Sequence, residues 1–155
     1  MIFLLRRYMV PSPVPSLGGS RFRYKPILPL KVFGPTGDTA PNAILDSGAD
    51  DVVFHLDVAA QLGIDLSQAP QLQAQGVGSG TPSCLLFAPV ILELSDGSET
   101  CRWRAVVAFT AVRLRLPLFG IAGGIEHFRS TVDVAAREVV MIPQPSLPAT
   151  QDTVP

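Results

Sequence analysis

The chain has 155 residues, of which 47% are hydrophobic and only 16% are charged. This length and composition predict one domain with a buried core. The formal net charge is −1 without a long run of either sign, which argues against a protein that binds nucleic acid or an anionic membrane through electrostatics.

The first residues predict neither a targeting signal nor a folded element. The apolar run at residues 2–5 is too short for the hydrophobic part of a secretory signal, and two arginines follow it instead of preceding it. No segment has the ~20 apolar residues that span a bilayer, so we expect a cytoplasmic protein without an integral membrane segment. Residues 1–24 are rich in Pro, Ser and Gly, which predicts an N-terminal tail with order beginning near Pro26. Basic residues at 21–25 are interpreted as a solvated face.

One acidic residue stands at the end of an apolar strand. Residues 41–45 predict this strand, which delivers Asp46 into a turn of small residues, Ser47-Gly48-Ala49. A buried carboxylate without a partner is costly, so such a group is normally paired, hydrogen-bonded or protonated. Ser47 offers a hydroxyl, and Gly48 lets backbone N–H groups approach the acid. The alternative is an Asp that only caps a local turn, because Asp-Ser-Gly is also a common turn sequence.

The middle of the chain predicts a short helix and a β-hairpin. The helix is expected over residues 55–62, with Gly63 ending it. Residues 71–86 predict a hairpin whose tip, Gly76-Val77-Gly78-Ser79-Gly80, is rich in glycine and can adopt positive φ. Taken alone, this segment favours an ordinary glycine-rich loop.

The second half of the chain predicts further strands. Residues 87–94 and 100–109 flank Asp96-Gly97, a strong hairpin signal, and Trp103 is expected in the core. An apolar strand containing Leu118-Phe119-Gly120 is followed by a short helix-like piece. A last hairpin is expected over residues 131–142, and the Pro-rich residues 144–155 predict a disordered C-terminal tail.

No residue pattern indicates a cofactor or a metal. The two cysteines, Cys84 and Cys101, belong to no CxxC motif and no Cys/His cluster. We interpret them as free thiols, because the hairpin would place Cys101 opposite about Leu92. No P-loop or dinucleotide fingerprint is present. His55 and His127 are interpreted as surface or helix-end residues rather than members of a Ser/His/Asp triad.

In combination, three of these segments resemble the retropepsin family, the single-lobed aspartic proteases of retroviruses and their cellular relatives. They are the Asp-Ser-Gly-Ala-Asp-Asp string at residues 46–51, the glycine-rich hairpin and Leu118-Phe119-Gly120. The resemblance covers residues 26–143 and implies an all-β, retropepsin-like acid protease barrel lobe over residues 25–143, with one or two short helices. Viral members carry an Arg soon after the last Gly that pairs with the second Asp of the string. Here Ile121-Ala122-Gly123 stands there, so that ion pair is absent or supplied by another arginine.

The resemblance also implies a role for each matching residue. The predicted catalytic acid is Asp46, supported by Ser47 and Gly48. Substrate would contact Ala49, Asp50 and Asp51 on one side, and on the other a flap formed by Gly76, Val77 and Gly78. The loop behind the site would be built from Leu118, Phe119 and Gly120.

A single acid of this kind predicts two chains. Peptide hydrolysis by this chemistry needs two carboxylates that share one proton and face one water. One Asp-Ser-Gly in 155 residues therefore predicts a homodimer with Asp46 from each subunit, acting as an aspartic endopeptidase on extended polypeptide. Two alternatives remain open. One is an inactive retropepsin-like domain used for dimerisation or peptide binding, and the other is an unrelated β-barrel with an interaction role.

Overall fold

Strands dominate the computed structural model, which describes residues 1–75 and 82–148. In chain order the strands are β1 (Ile2–Leu4), β2 (Arg6–Met9), β3 (Phe22–Lys25), β4 (Ile27–Gly34), β5 (Gly37–Thr39), β6 (Asn42–Leu45), β7 (Val53–His55), β8 (Gln71–Ala74), β9 (Ser83–Ser95), β10 (Thr100–Thr110), β11 (Leu118–Phe119), β12 (Phe128–Asp133) and β13 (Glu138–Pro143). The helical elements are α1 (Leu56–Gln61) and two 3-10 helices, Pro15–Leu17 and Ile125–His127. The predicted all-β class with short helices is confirmed.

Six strands close into a barrel in the order β4-β6-β11-β7-β10-β9. The barrel closes because β9 returns to β4, with Leu94 opposite Leu30 and Ile91 opposite Phe33. β5 extends the sheet beyond β4, and β8 extends it beyond β9. Along β4, Leu28, Leu30 and Val32 alternate into the interior, the period of two expected for a strand with one buried face.

The core of the barrel is aromatic. Trp103, Phe54, Phe109 and Phe119 are fully buried. The ring of Trp103 meets Phe128 at 5.3 Å and Phe119 at 6.3 Å, both nearly edge-on, a favoured geometry for aromatic pairs. Trp103 thus lies in the core, as the sequence predicts.

The prediction that residues 1–24 form a tail, with order beginning near Pro26, is wrong. β1 pairs with β13, and Met1, Phe3 and Leu5 are buried in the main core. β2 and β3 form a separate two-stranded sheet. The prolines that suggested a tail lie in the connection between β2 and β3, where they interrupt no ladder.

The other local predictions hold with adjusted boundaries. α1 begins one residue later than predicted, because His55 is its N-cap and accepts a hydrogen bond from the Asp57 N–H. Residues 87–94 are part of a longer strand, β9, that also forms one arm of the predicted hairpin with β8. Both cysteines are free, and Cys101 lies opposite Leu94 rather than Leu92.

The last hairpin forms as predicted, from β12 and β13. Within residues 1–75 and 82–148, no helix has the length and apolar character needed to cross a membrane. The predicted disorder of residues 144–155 is wrong for residues 144–148, because the Gln144 N–H donates to the His127 carbonyl at 2.8 Å and Leu147 packs against the main core. Residues 149–155 lie outside the described residues.

The turn between β9 and β10 is tied to β1 by Asp96. Its carboxylate accepts hydrogen bonds from the N–H groups of Glu99 (2.8 Å), Ile2 (2.8 Å) and Ser98 (2.9 Å) and from the Ser98 hydroxyl (2.8 Å). These bonds, led by that of Glu99, hold the pKa of Asp96 well below its usual range.

Asp96→Asn is therefore expected to lower the free energy of unfolding more at pH 7 than at acidic pH. A depressed folded-state pKa stabilises the fold above the unfolded-state pKa of about 3.9 and loses that contribution as pH falls through the folded-state pKa. Urea unfolding of both proteins from pH 7 down to pH 2.5 measures the difference. Asp133→Asn, which removes a turn carboxylate bonded to the Ala136 N–H alone, is the matched control. A difference between wild type and Asp96→Asn that does not change with pH would contradict this account.

Candidate active site

Asp46 is the first residue after β6, and its backbone is held by the neighbouring strand. β6 lies between β4 and β11, with Ile44 opposite both Ile27 and Leu118. β6 and β11 run parallel, so both strands leave the sheet at the same edge. There the Asp46 N–H donates to the Phe119 carbonyl at 3.1 Å. The position of the acid is therefore fixed by a barrel strand on each side of β6.

The Asp46 carboxylate closes a tight turn. One oxygen, Oδ1, accepts the Gly48 N–H at 3.0 Å, and the Asp46 carbonyl accepts the Ala49 N–H at 3.1 Å. Asp46 is half-buried, whereas Ser47 and Gly48 are exposed. The local hydrogen bond agrees with the turn-cap interpretation. The half-buried carboxylate also stands at a strand end beside exposed small residues, where it can be reached from the surface.

Residues 120–122 run directly behind the acid loop. The N–H groups of Ile121 and Ala122 donate to the carbonyls of Ala49 (2.9 Å) and Asp50 (2.7 Å). The approach is so close that a Cβ atom on Gly120 would overlap the Asp51 carbonyl group and lie 2.7 Å from the Ala49 carbonyl oxygen. Only glycine fits this contact, and this gives the sequence Phe119-Gly120 its structural reason.

A further pair of hydrogen bonds, which holds the segment behind the acid loop at Gly123, was missed by the sequence analysis. The buried indole Nε1 of Trp103 donates to the Gly123 carbonyl at 2.9 Å, and the Gly123 N–H donates to Glu126 Oε1 at 2.7 Å. Gly123 has φ +74°, in the left-handed region that glycine adopts readily. A buried Trp usually needs an acceptor for its N–H, and this was the available signal. Nothing in the local sequence identifies Gly123 as the partner.

The two acids after the turn differ in environment. Asp50 is exposed, whereas Asp51 is half-buried and pairs with Ala122 in an isolated parallel bridge. Burial, and secondly the negative charge of Asp50, raise the pKa of Asp51. None of the ion pairs within the described ranges involves Asp50 or Asp51. Among these residues, the acid loop is held from behind by backbone bonds from Ile121 and Ala122 to Ala49 and Asp50.

The predicted flap is described only at its base. Gly76, Val77 and Gly78 lie outside the described residues. One arm of the hairpin reaches the site, because Leu85 of β9 packs in a small apolar cluster with Val53 and, at its margin, Leu118. The base of the hairpin therefore contacts the strands that carry the acid loop.

Neither histidine joins the site. The His55 Nδ1 lies 3.0 Å from the Asp57 carboxylate, and the His127 Nε2 lies 3.6 Å from Glu126. In residues 1–75 and 82–148 there is no group of three or more His, Cys, Asp or Glu side chains that could hold a metal ion. The Asp46 carboxylate is presented by a turn whose backbone is bonded to the 119–122 segment.

The solved structures that resemble this chain include two aspartic proteases. One is a retropepsin-like aspartic protease from Rickettsia conorii, 15% identical, with a TM-score of 0.48 over 91% of this chain and 92% of that chain. The other is EIAV protease complexed with the inhibitor HBY-793, 18% identical, with a TM-score of 0.37 over 62% of this chain and 81% of that chain. No protein-family model and no curated protein matches the sequence. Residue roles therefore rest on the geometry of the site.

Gly120→Ala is expected to loosen the acid loop. The added methyl group meets backbone carbonyls that cannot move independently, and overpacking of this kind costs roughly 1–3 kcal/mol. Amide hydrogen exchange should show reduced protection of the Ile121 and Ala122 N–H groups, together with a lower midpoint of urea unfolding. Unchanged protection of both amides would contradict the close contact.

Asp51→Asn is expected to stabilise the fold at pH 7 and to have a smaller effect at pH 3. A carboxyl whose pKa is raised in the folded state destabilises the fold above that pKa, and the cost is absent below the unfolded-state pKa. Urea unfolding of wild type and Asp51→Asn at both pH values measures the difference in the free energy of unfolding. Asp50→Asn removes only the secondary cause and should give a smaller gain. A variant that is less stable than wild type at pH 7 would show that the Asp51 charge has a favourable partner.

Proposed function

We propose that this chain is one subunit of a homodimeric aspartic endopeptidase whose reacting acids are the two copies of Asp46. Two carboxylates held close together cannot both ionise, so the pair keeps one proton. The ionised member removes a proton from water, which attacks the scissile carbonyl, while the protonated member donates its hydrogen to the carbonyl oxygen. The shared proton is therefore assigned to the pair of carboxylates and not to either one alone.

The observation that carries the proposal is the double anchoring of the Asp46 loop. A connecting turn needs only its own hydrogen bonds, but this one is also bonded to the 119–122 segment at Asp46, Ala49 and Asp50. Such anchoring holds a carboxylate in one place before substrate arrives, which is what catalysis by positioned charge requires. Because Ser47 and Gly48 are exposed, the loop can meet a second copy.

The second copy completes the chemistry. The sequence contains one Asp-Ser-Gly, so each barrel supplies one Asp46 carboxylate. A two-fold axis beside the loop would bring the two Asp46 carboxylates together. The Ser47 hydroxyl is proposed to hydrogen-bond across that axis and so keep the carboxylates coplanar.

The proposed substrate is an extended polypeptide bound as an added strand. The carbonyls of Ala49 and Asp50 already accept bonds from the segment behind them, so the exposed Asp50 side chain is the group proposed to meet substrate, with Asp51 beside it. The proposed opposite wall is the hairpin of β8 and β9, with Gly76, Val77 and Gly78 at its tip.

Asp46→Asn is expected to abolish peptide cleavage, by at least about 100-fold, while the protein stays folded and dimeric. The Asn side-chain oxygen can still accept the Gly48 N–H, but the amide cannot act as a base. Cleavage of an unfolded protein from pH 4 to pH 9, with sedimentation of each protein, measures both properties. Asp65→Asn is the matched control, because Asp65 Oδ1 accepts the Ser67 N–H at 2.9 Å in a turn of the same kind.

Three outcomes would contradict the proposal. Equal cleavage by wild type and Asp46→Asn would place the activity elsewhere. A rate that rises steadily up to pH 9 would exclude a shared-proton pair. A folded dimer that binds peptides equally well with and without Asp46, and cleaves none, would identify a binding domain.

A further inference from the structure

The sheet formed by β2 and β3, here called the basic ribbon, has no other strand beside it among the described residues. Its register places Arg6 opposite Lys25 and Tyr8 opposite Arg23. Because side chains directly opposite each other share a face, these four residues form one face of the ribbon. Both outer edges are unpaired in the described chain, so the backbone of each strand can accept a further strand.

The ribbon concentrates positive charge. Residues 1–37 contain six of the twelve Lys and Arg residues and none of the thirteen Asp and Glu residues. Within the described ranges, no ion pair uses a ribbon cation. Arg6 instead donates to the neutral side chain of Asn42 at 2.8 Å. The net charge of −1 is thus the sum of a basic N-terminal part and an acidic remainder.

The base of the ribbon adjoins the strand that ends at Asp46. β3 continues through Pro26, whose carbonyl accepts the Leu45 N–H at 2.8 Å. Arg6, at the base of β2, reaches Asn42 at the start of the same strand, β6. A polypeptide lying along the ribbon would therefore be next to the strand that delivers the acid.

A cation lies over each aromatic ring of the ribbon. Lys25 Nζ lies 4.8 Å from the centre of the Tyr8 ring, and the Arg7 guanidinium lies 4.8 Å from that of Phe22. The third ring, Tyr24, is covered by Arg137 at 5.0 Å. Single-stranded nucleic acids gain much of their affinity by stacking bases on exposed aromatic faces. Here a cation already lies over each ring, which favours a ligand recognised by its charge and its backbone.

We propose that the basic ribbon is an exosite that binds acidic, extended stretches of polypeptide substrate, a role that rests on the proposed protease function. Carboxylates would meet Arg6, Arg23 and Lys25, and the peptide backbone would pair with an open ribbon edge. The bound stretch would hold a neighbouring part of the same polypeptide at the Asp46 loop and raise its local concentration.

The test measures binding separately from cleavage. The probe is a fluorescent peptide containing a run of glutamates, compared with a peptide in which glutamine replaces each glutamate, and both are titrated with folded Asp46→Asn protein. Arg23→Glu in that background should weaken binding of the acidic peptide by about fivefold and leave the glutamine peptide unchanged. Arg129→Glu reverses an exposed cation in β12, a strand outside the ribbon, and should leave the binding of both peptides unchanged. Arg23→Gln, the milder variant, should fall between wild type and Arg23→Glu.

Any of the following three results would overturn the proposed exosite. Equal losses in Arg23→Glu and Arg129→Glu would mean that only net charge matters. An oligonucleotide of the same charge that binds tighter than the peptide would assign the ribbon to nucleic acid. Dimer dissociation caused by Arg23→Glu would assign the ribbon to a second copy. Because the binding assay uses a protein without its catalytic acid, failure of cleavage by wild type leaves this result unaffected.

Discussion

The parallel pairing of β6 with β11 is the constraint on which the site depends. Both strands end at the same edge of the barrel, so the chain segments that follow them must run side by side. That proximity allows the 120–122 backbone to bond to the acid loop, and it leaves no room for a side chain at Gly120. The acid is therefore positioned by backbone geometry, which few side-chain changes alter, rather than by a network of side chains.

Much of the fold was predictable because its signals are local. The turn at Asp96-Gly97 identified the long central hairpin, and Gly63 marked the end of α1. β1 was missed because three residues are too few to show a period, and the partner that orders them, β13, lies at the opposite end of the chain. Propensity arguments do not register pairing over such a separation.

The features of the candidate site were likewise predictable only where their sequence signals are local. Asp46 was identifiable because an apolar strand leads into a small-residue turn, and Gly120 because a glycine follows two large apolar residues. The bond from Trp103 to Gly123 depends on how the barrel closes, which no spacing in the sequence reveals. The basic ribbon was interpreted as part of a solvated tail, because its charge was visible but its strand pairing was not.

The pairing of β1 with β13 has a consequence for biosynthesis. A ribosome makes β1 long before β13, so β1 has no partner while the segment between the two strands is being translated. Until then Met1, Phe3 and Leu5 stay without the core that buries them in the finished fold. Pairing between distant segments is slow to form, and apolar surface left open in the meantime favours aggregation. During synthesis, β1 is thus the segment that waits longest for its strand partner.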